Sequence, residues 1–399
     1  MGKFAGAVTV GPPMRRGVPS AFISGATYSP TGDLESASVN VTEIPADEAG
    51  WRAEIQTQTG VTIPDDREVV LTGVRLWNMG ATQNRHLTFR IVARSTTNGT
   101  EDIASLLKIA KANARKPPKV SNVALTQTRI VGLSDEQLGK VDKRGGTSAF
   151  FERLERLLAE LDDEMRARPC EDASILLGGD LVEGYENTAQ QSHTNDLSHP
   201  EMLRVARAYL TEAITRIASR HERTRVLAVP SNHGAWRRGK DNLGLPGDDY
   251  GLDCVRAVAE ALAMSERWAG VEFIFPDRWG VSVAVQVRDD VLALTHGHVG
   301  TSGPASFEKW FAGQTLGDSP ISSATVVVSG HFHHRRYNPL GNIGNRERVH
   351  IQLPALDGGS AWFENSSGQW SHPGIWTAVI RDGVGLDHER LLRSELADP

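Results

Sequence analysis

Five short segments of this sequence set acids, amides and histidines beside glycine. They are Ser134-Asp135-Glu136-Gln137-Leu138-Gly139-Lys140, Gly179-Asp180-Leu181-Val182-Glu183-Gly184, Ser231-Asn232-His233-Gly234, Thr295-His296-Gly297-His298 and Ser329-Gly330-His331-Phe332-His333. Mixed oxygen and imidazole donors suit manganese, iron or zinc rather than a thiolate-selective metal. Each segment follows an expected strand, and strand ends on one sheet edge are where ligand sites collect. A glycine next to each candidate ligand lets the backbone turn sharply and approach closely. Gly-Asp and Gly-His pairs are common, so a single segment is weak, whereas five in order form a specific pattern.

The elements that must position these residues can be read from periodicity. Residues 128–133, 173–177 and 225–229 read as buried strands. Residues 147–167 form an amphipathic helix, with Phe150, Leu154, Leu157, Leu158, Leu161 and Met165 on one face. A second helix runs over 200–220, with Pro200 in its first turn. Further strands are expected at 271–275, 280–287, 290–295, 325–329, 348–353 and 374–380. Alternating strand and helix, then a strand-dense second half, imply two facing sheets with helices outside.

Upstream, residues 1–45 are rich in Gly, Pro, Ser and Ala and read as an extended or poorly ordered lead. Residues 46–120 read as a small β-rich unit. Within it, 53–57 and 86–92 alternate, 69–71 is an apolar run, and a helix with a basic end over 101–116 stops at Pro117-Pro118. The catalytic domain is expected over 121–399.

Composition excludes several classes. The 399 residues carry a formal net charge of -6, two cysteines and thirteen histidines. Cys170 and Cys254 cannot build a disulfide framework, a zinc finger or an iron–sulfur site, and read as buried thiols in a reducing compartment. No window has the ~18 consecutive apolar residues of a membrane span, and the first thirty residues lack a signal peptide's apolar run. The expectation is a cytoplasmic protein with no membrane partner. Mild acidity argues against a wholly nucleic-acid-coated surface while allowing a local basic groove.

The ordered segments resemble the calcineurin-like metallophosphoesterases, whose pattern is D-x-H, G-D-x-x-(D/E), G-N-H-(D/E), a later H, and G-H-x-H. Here Asp135, Asp180, Asn232, His296 and His331 follow at intervals of 45, 52, 64 and 35 residues. The resemblance covers about residues 125–335 and is greatest to the SbcD/Mre-eleven double-strand-break repair nucleases, in particular compact phage-type relatives. It implies a four-layer αββα sandwich and a hydrolase with two divalent metals, manganese first and iron, zinc or magnesium as alternatives. Asp135, Gln137, Asp180 and His333 would hold the first metal; Asp180, Asn232, His296 and His331 the second. The metals would activate a bridging hydroxide for in-line attack, with Asp180 bridging them and His233 acting as general acid or charge stabiliser. Three positions depart from the pattern, Ser231 standing where Gly is usual. Gln137 stands where His is usual and coordinates more weakly. Gly234 stands where an acid usually orients the His, so another carboxylate must do so for His233.

Basic residues follow three of the segments: Lys140, Lys143 and Arg144; Arg237, Arg238 and Lys240; Arg335 and Arg336. Around a metal centre they would form a rim suited to a polyanion, with Arg237, Arg238, Lys140 and Arg335 as substrate contacts. The polar loop at 184–199 offers further donors. The expected activity is therefore a DNA exonuclease or endonuclease of repair or DNA-processing type. The alternative is a phosphodiesterase or phosphatase acting on nucleotides or phosphoproteins, and a third reading is a metal-binding scaffold without activity. The chain has no Walker A loop, so an ATPase partner would be a separate protein. A homodimer stays open as an assembly state.

Overall fold

A computed structural model describes residues 24–28, 34–42, 45, 48–65, 67–79, 82–93, 99–114, 126–185, 194–238, 241–299, 304–359, 361, 364–365, 370 and 372–393. The chain divides into two compact units, Met1–Asn98 and Gly99–Pro399.

The first unit contains β1 (Gly25–Tyr28), β2 (Leu34–Val41), α1 (Glu48–Thr59), β3 (Arg67–Met79) and β4 (Thr82–Ala93). Its strands form one antiparallel sheet in the order β1-β2-β4-β3. In β2, Ala37, Val39 and Val41 are buried in alternation, as a half-buried strand requires. They share an apolar cluster with Leu87, Phe89 and Ile91 of β4 and Ile55 of α1. Residues 53–57, expected to belong to a β-rich stretch, lie inside this helix. Five alternating residues fit either period. Trp51 and Ile55, at i and i+4, decide it by packing one helix face on the sheet. Of the lead at 1–45, residues 25–28 and 34–41 are strands, and residues 1–23 lie outside the described residues.

The second unit opens with α2 (Gly99–Ala112), β5 (Gln127–Leu133), α3 (Thr147–Ala167), β6 (Asp172–Leu177), α4 (His199–Ala218) and β7 (Arg223–Ala228). A short hairpin, β8 (Arg237–Arg238) and β9 (Asp241–Asn242), precedes α5 (Tyr250–Ala263) and β10 (Val271–Ile274). Next come β11 (Ser282–Val287), β12 (Asp290–Thr295), α6 (Pro304–Leu316), β13 (Val326–Ser329), β14 (Arg336–Ile343), β15 (Arg346–Gln352), β16 (Gly374–Arg381) and β17 (Gly385–Arg393). One sheet has six strands in the order β10-β7-β6-β5-β16-β17, the other five in the order β11-β12-β13-β15-β14. Ile130, Leu176 and Leu227 of the first sheet pack against Leu292, Leu294, Val328 and Ile351 of the second. The intervening residues of the first sheet, Val131, Ile175 and Val226, face the helical side instead, with Leu157, Ile214 and Val258. The second sheet buries Ala293 and Val327 against Phe307 and Phe311 of α6. The second unit is therefore a mixed α/β sandwich with αββα layering.

The boundary expected at residue 120 falls instead after Asn98. The reason is α2. Its Leu106 and Ala110 are buried in the helix-side core of the second unit, and Asn113 just beyond it donates to the Glu212 carboxylate at 2.8 Å. Among the described residues no helix is long and apolar enough to cross a membrane.

Candidate metal centre

The five segments follow β5, β6, β7, β12 and β13. These strands run parallel to their immediate neighbours in this set: β5 with β6, β6 with β7, and β12 with β13. Asp135, Gln137, Asp180, His331 and His333 have φ of 55, 45, 52, 71 and 62°, and make up five of the eight described non-glycine residues with positive φ. Each costs of order 1–3 kcal/mol relative to an ordinary conformation, and such outliers cluster at functional sites. Close backbone approach adds to this. A Cβ on Gly330 would lie 2.1 Å from Ser134 Oγ and 2.7 Å from Asp135 Oδ2. Only glycine allows the fifth segment to pass over the first.

Asp180 is 1% exposed. Its Oδ1 accepts the backbone N–H of His233 at 2.8 Å, and its Oδ2 lies 3.1 Å from His296 Nε2. That nitrogen is also 2.9 Å from Asn232 Oδ1. His296 Nδ1 faces the carbonyl oxygen of Gly178 at 2.7 Å, so Nδ1 carries a proton. In the neutral ring, Nε2 would then be a lone pair facing two oxygens. Three acceptors would then converge, which a proton on Nε2, a metal cation or the Asn232 amide turned over would reconcile. A ligating histidine typically donates its other N–H to a carbonyl in this way. Donor atoms of Asp180, His296 and His331 all lie within 4.8 Å of one another. His331 Nδ1 is buried without a hydrogen-bond partner. The second-metal set therefore fits a divalent cation.

The electrostatics agree. Burial opposes charge on His296 and on His233, but Asp180 together with Glu183 at His233, and Asp180 together with Asp135 and the Gly178 carbonyl at His296, outweigh it and hold each pKa up at about 9. Asp180 is itself buried, which disfavours its charge, yet His296 and His233 hold its carboxyl well below the usual range. Burial, followed by the His296 charge, pushes His331 down to about 4 and His298 to about 3. Asp180 is thus paired with positive charge on His296 and His233, which a metal cation would replace, and the uncharged His331 ring is available as a donor.

The first-metal set fits less well. Asp135 is fully buried; its carboxylate accepts from Ser134 Oγ at 2.6 Å and lies 3.3 Å from His333 Nε2. Gln137 presents its oxygen to Lys140 Nζ at 2.7 Å and its amide nitrogen to His233 Nε2 at 3.3 Å. Lys140 is also ion-paired with buried Asp357. An ammonium thus already occupies the oxygen that Gln137 would offer to a metal.

His233 Nδ1 is 3.0 Å from the carbonyl oxygen of Glu183 and 3.1 Å from its carboxylate. Glu183 is therefore the carboxylate that stands in for the missing acid at Gly234. A side chain at 234 has no room, because its Cβ would lie 2.6 Å from Asp249 Oδ2. Asp249 caps α5 by accepting from Leu252 N at 2.8 Å, and also binds Ser231 N at 2.9 Å. Neither Asp249 nor Asp357 stands out in the sequence reading. Asp357 had a usable signal, since it follows the end of β15 and sits beside Gly358-Gly359 as Asp180 sits beside Gly178-Gly179. Asp249 could have been found only with α5, which the periodicity reading does not include.

The expected basic rim is largely neutralised. Lys140 is buried in its pair with Asp357, Lys143 and Arg144 pair with Glu364, and Arg335 pairs with Glu389. Lys140 and Arg335, expected as substrate contacts, are thus ion-paired within the chain. Arg237 donates to the Asn232 carbonyl oxygen at 3.0 Å, and Arg238 is exposed. Lys240, and residues 186–193 of the polar loop, lie outside the described residues.

No family model matches this sequence, and no curated protein does. Among solved structures, vacuolar protein sorting 29 from Cryptosporidium parvum is 14% identical with a TM-score of 0.29, covering 67% of this chain and 100% of that one. A putative 5'-nucleotidase from Staphylococcus aureus is 10% identical with a TM-score of 0.34, covering 68% of this chain and 55% of its own. A purple acid phosphatase from yellow lupin seeds is 11% identical with a TM-score of 0.32, covering 90% and 67%. All three have the calcineurin-like metallophosphoesterase fold. Their TM-scores fall below one half, so the αββα assignment of this chain rests on its own sheet order and layered cores.

Proposed function

We propose that this chain is a divalent-metal-dependent phosphoester hydrolase. The observation that carries the reading is the convergence of Asp180 Oδ2 and Asn232 Oδ1 on His296 Nε2, at 3.1 and 2.9 Å, beside a buried His331 nitrogen with no hydrogen-bond partner. Asp180, Asn232, His296 and His331 would hold the ion. When bound, it would polarise a phosphoryl oxygen and lower the pKa of a water. The chain's own residues supply the rest. Glu183 fixes the proton of His233 on Nδ1. His233 Nε2 lies 4.0 Å from Asp180 Oδ2 and 3.3 Å from the Gln137 amide nitrogen, which would turn away for a protonated ring. From there a protonated His233 donates to the leaving oxygen, or neutralises charge developing on a non-bridging one.

The finer reading is a nuclease acting on DNA. Arg237 and Arg238 support it, because they follow the catalytic segment directly and two guanidiniums suit adjacent backbone phosphates. The test is to incubate the full chain with manganese and linear duplex or single-stranded DNA. Degradation that is lost in Asp180→Asn and His233→Ala supports the nuclease reading. Hydrolysis of p-nitrophenyl phosphoesters with DNA left intact contradicts it and leaves the hydrolase standing.

A further inference from the structure

The two halves of the centre differ in one respect that the motifs do not announce: a lysine stands in the first half. The Lys140 side chain is 13% exposed. Its ammonium donates to Gln137 Oε1 at 2.7 Å and is ion-paired with Asp357. Asp357 is tied to the centre by its backbone N–H, which donates to the Asp135 carbonyl at 3.1 Å, and by a carboxylate oxygen 3.8 Å from His333 Nδ1. The ammonium thus sits between the Gln137 oxygen and the Asp357 carboxylate. Because lysine can only donate, the Gln137 oxygen must face it, and the amide N–H₂ then points to His233.

We propose that Lys140 is a built-in competing cation that controls filling of the first-metal position, so that the two positions have unequal affinity. The proposal rests on the hydrolase reading and deepens it. A divalent ion seated on Gln137 Oε1 would meet like charge from the ammonium on the same atom. It enters only when Lys140 withdraws, leaving Asp357 without its counter-ion. The second position carries no such load: Asn232 and His296 meet each other and Asp180 with no lysine among them. The first position is therefore a site with its own occupant, and the residue at 140 sets how readily a second metal enters.

Metal-stripped full-length protein is titrated with manganese by calorimetry, and bound metal is counted after equilibrium dialysis. The expected result is one tight equivalent and a second at least tenfold weaker, or absent over the accessible range. Lys140→Met should tighten or create the second equivalent by at least tenfold and leave the first unchanged. Lys140→Arg, which keeps the charge, should behave as the parent. Two equal equivalents in the parent overturn the proposal, even if Lys140→Met fails to fold. A folded Lys140→Met with unchanged second-site affinity overturns it as well. Manganese-dependent ester hydrolysis alongside either result leaves the hydrolase reading intact, whereas no manganese binding overturns both.

Discussion

At Asp180 the two carboxylate oxygens have separate tasks. One accepts the amide of His233 and so shapes the third segment; the other faces His296. In the proposed mechanism Glu183 would act through His233, 3.1 Å from its Nδ1, rather than on substrate. Glu183→Gln should therefore cost roughly 10–100-fold in kcat, against ~10²–10⁴-fold for His233→Ala. The pH profile of Glu183→Gln should also shift to lower pH, since the raised His233 pKa depends partly on that carboxylate; an unshifted profile would assign Glu183 a purely structural role. Away from the centre, two buried histidines link stability to acid. Burial pushes His221 down to about 4 and His350 to about 3, and they bond Ile217 O and Ser329 Oγ at 2.8 Å each. Both are neutral in the folded state. Below the ordinary pKa of 6.5 the unfolded chain takes up protons that the fold refuses. Stability should thus fall by ~1.4 kcal/mol per pH unit for each group as pH drops from 6.5 towards 4. Denaturant titrations over that range check it, and a His221→Gln variant that folds should show a shallower slope.

At the scale of elements, most of the strands and three of the helices, α2, α3 and α4, were legible because burial leaves a period behind. The expected helix at 147–167 matches α3, and the expected strands at 173–177 and 225–229 lie at β6 and β7. Helices α5 and α6 and strands β14 and β17 were not read. In β14 the buried face is weak, with every residue half-exposed or exposed, so alternation of residue type fails there. The five motif loops were legible as chemistry, and close approach at Gly179 and Gly330 shows why glycine accompanies two of them. What sequence could not supply was pairing across the chain: Asp357 with Lys140, Glu183 with His233, Asp249 with Ser231. One close approach gives a test. Gly330→Ala puts a methyl group into Ser134 and Asp135, and should cost ~1–3 kcal/mol of stability. It should also weaken manganese binding. Calorimetric melting and metal titration measure both, and an unchanged melting temperature would show that the two loops are not packed as described.

At the scale of the whole molecule, layering explains why ligands from distant sequence meet. Two sheets share one apolar interior, and strands from both deliver their ends to the same place. Acidic and basic residues nearly balance, yet Lys140, Lys143, Arg144 and Arg335 are committed to internal pairs. The net charge of -6 is thus not offset by the full basic rim that the spacing suggests. The second unit also begins earlier than composition implies, at α2. A fragment spanning 99–399 should accordingly fold and bind manganese, whereas one starting at 121 should lose the burial of Leu106 and Ala110 and melt at lower temperature. Equal melting of the two fragments would contradict the assignment of α2 to the second unit. The most direct test of the central claim is the rate of bis-p-nitrophenyl phosphate hydrolysis by metal-stripped full-length protein as manganese is added, with Asp180→Asn beside it. A saturable manganese-dependent rate that falls at least a hundredfold in Asp180→Asn is predicted; no manganese-dependent rate, or an equal rate in the variant, would contradict the account.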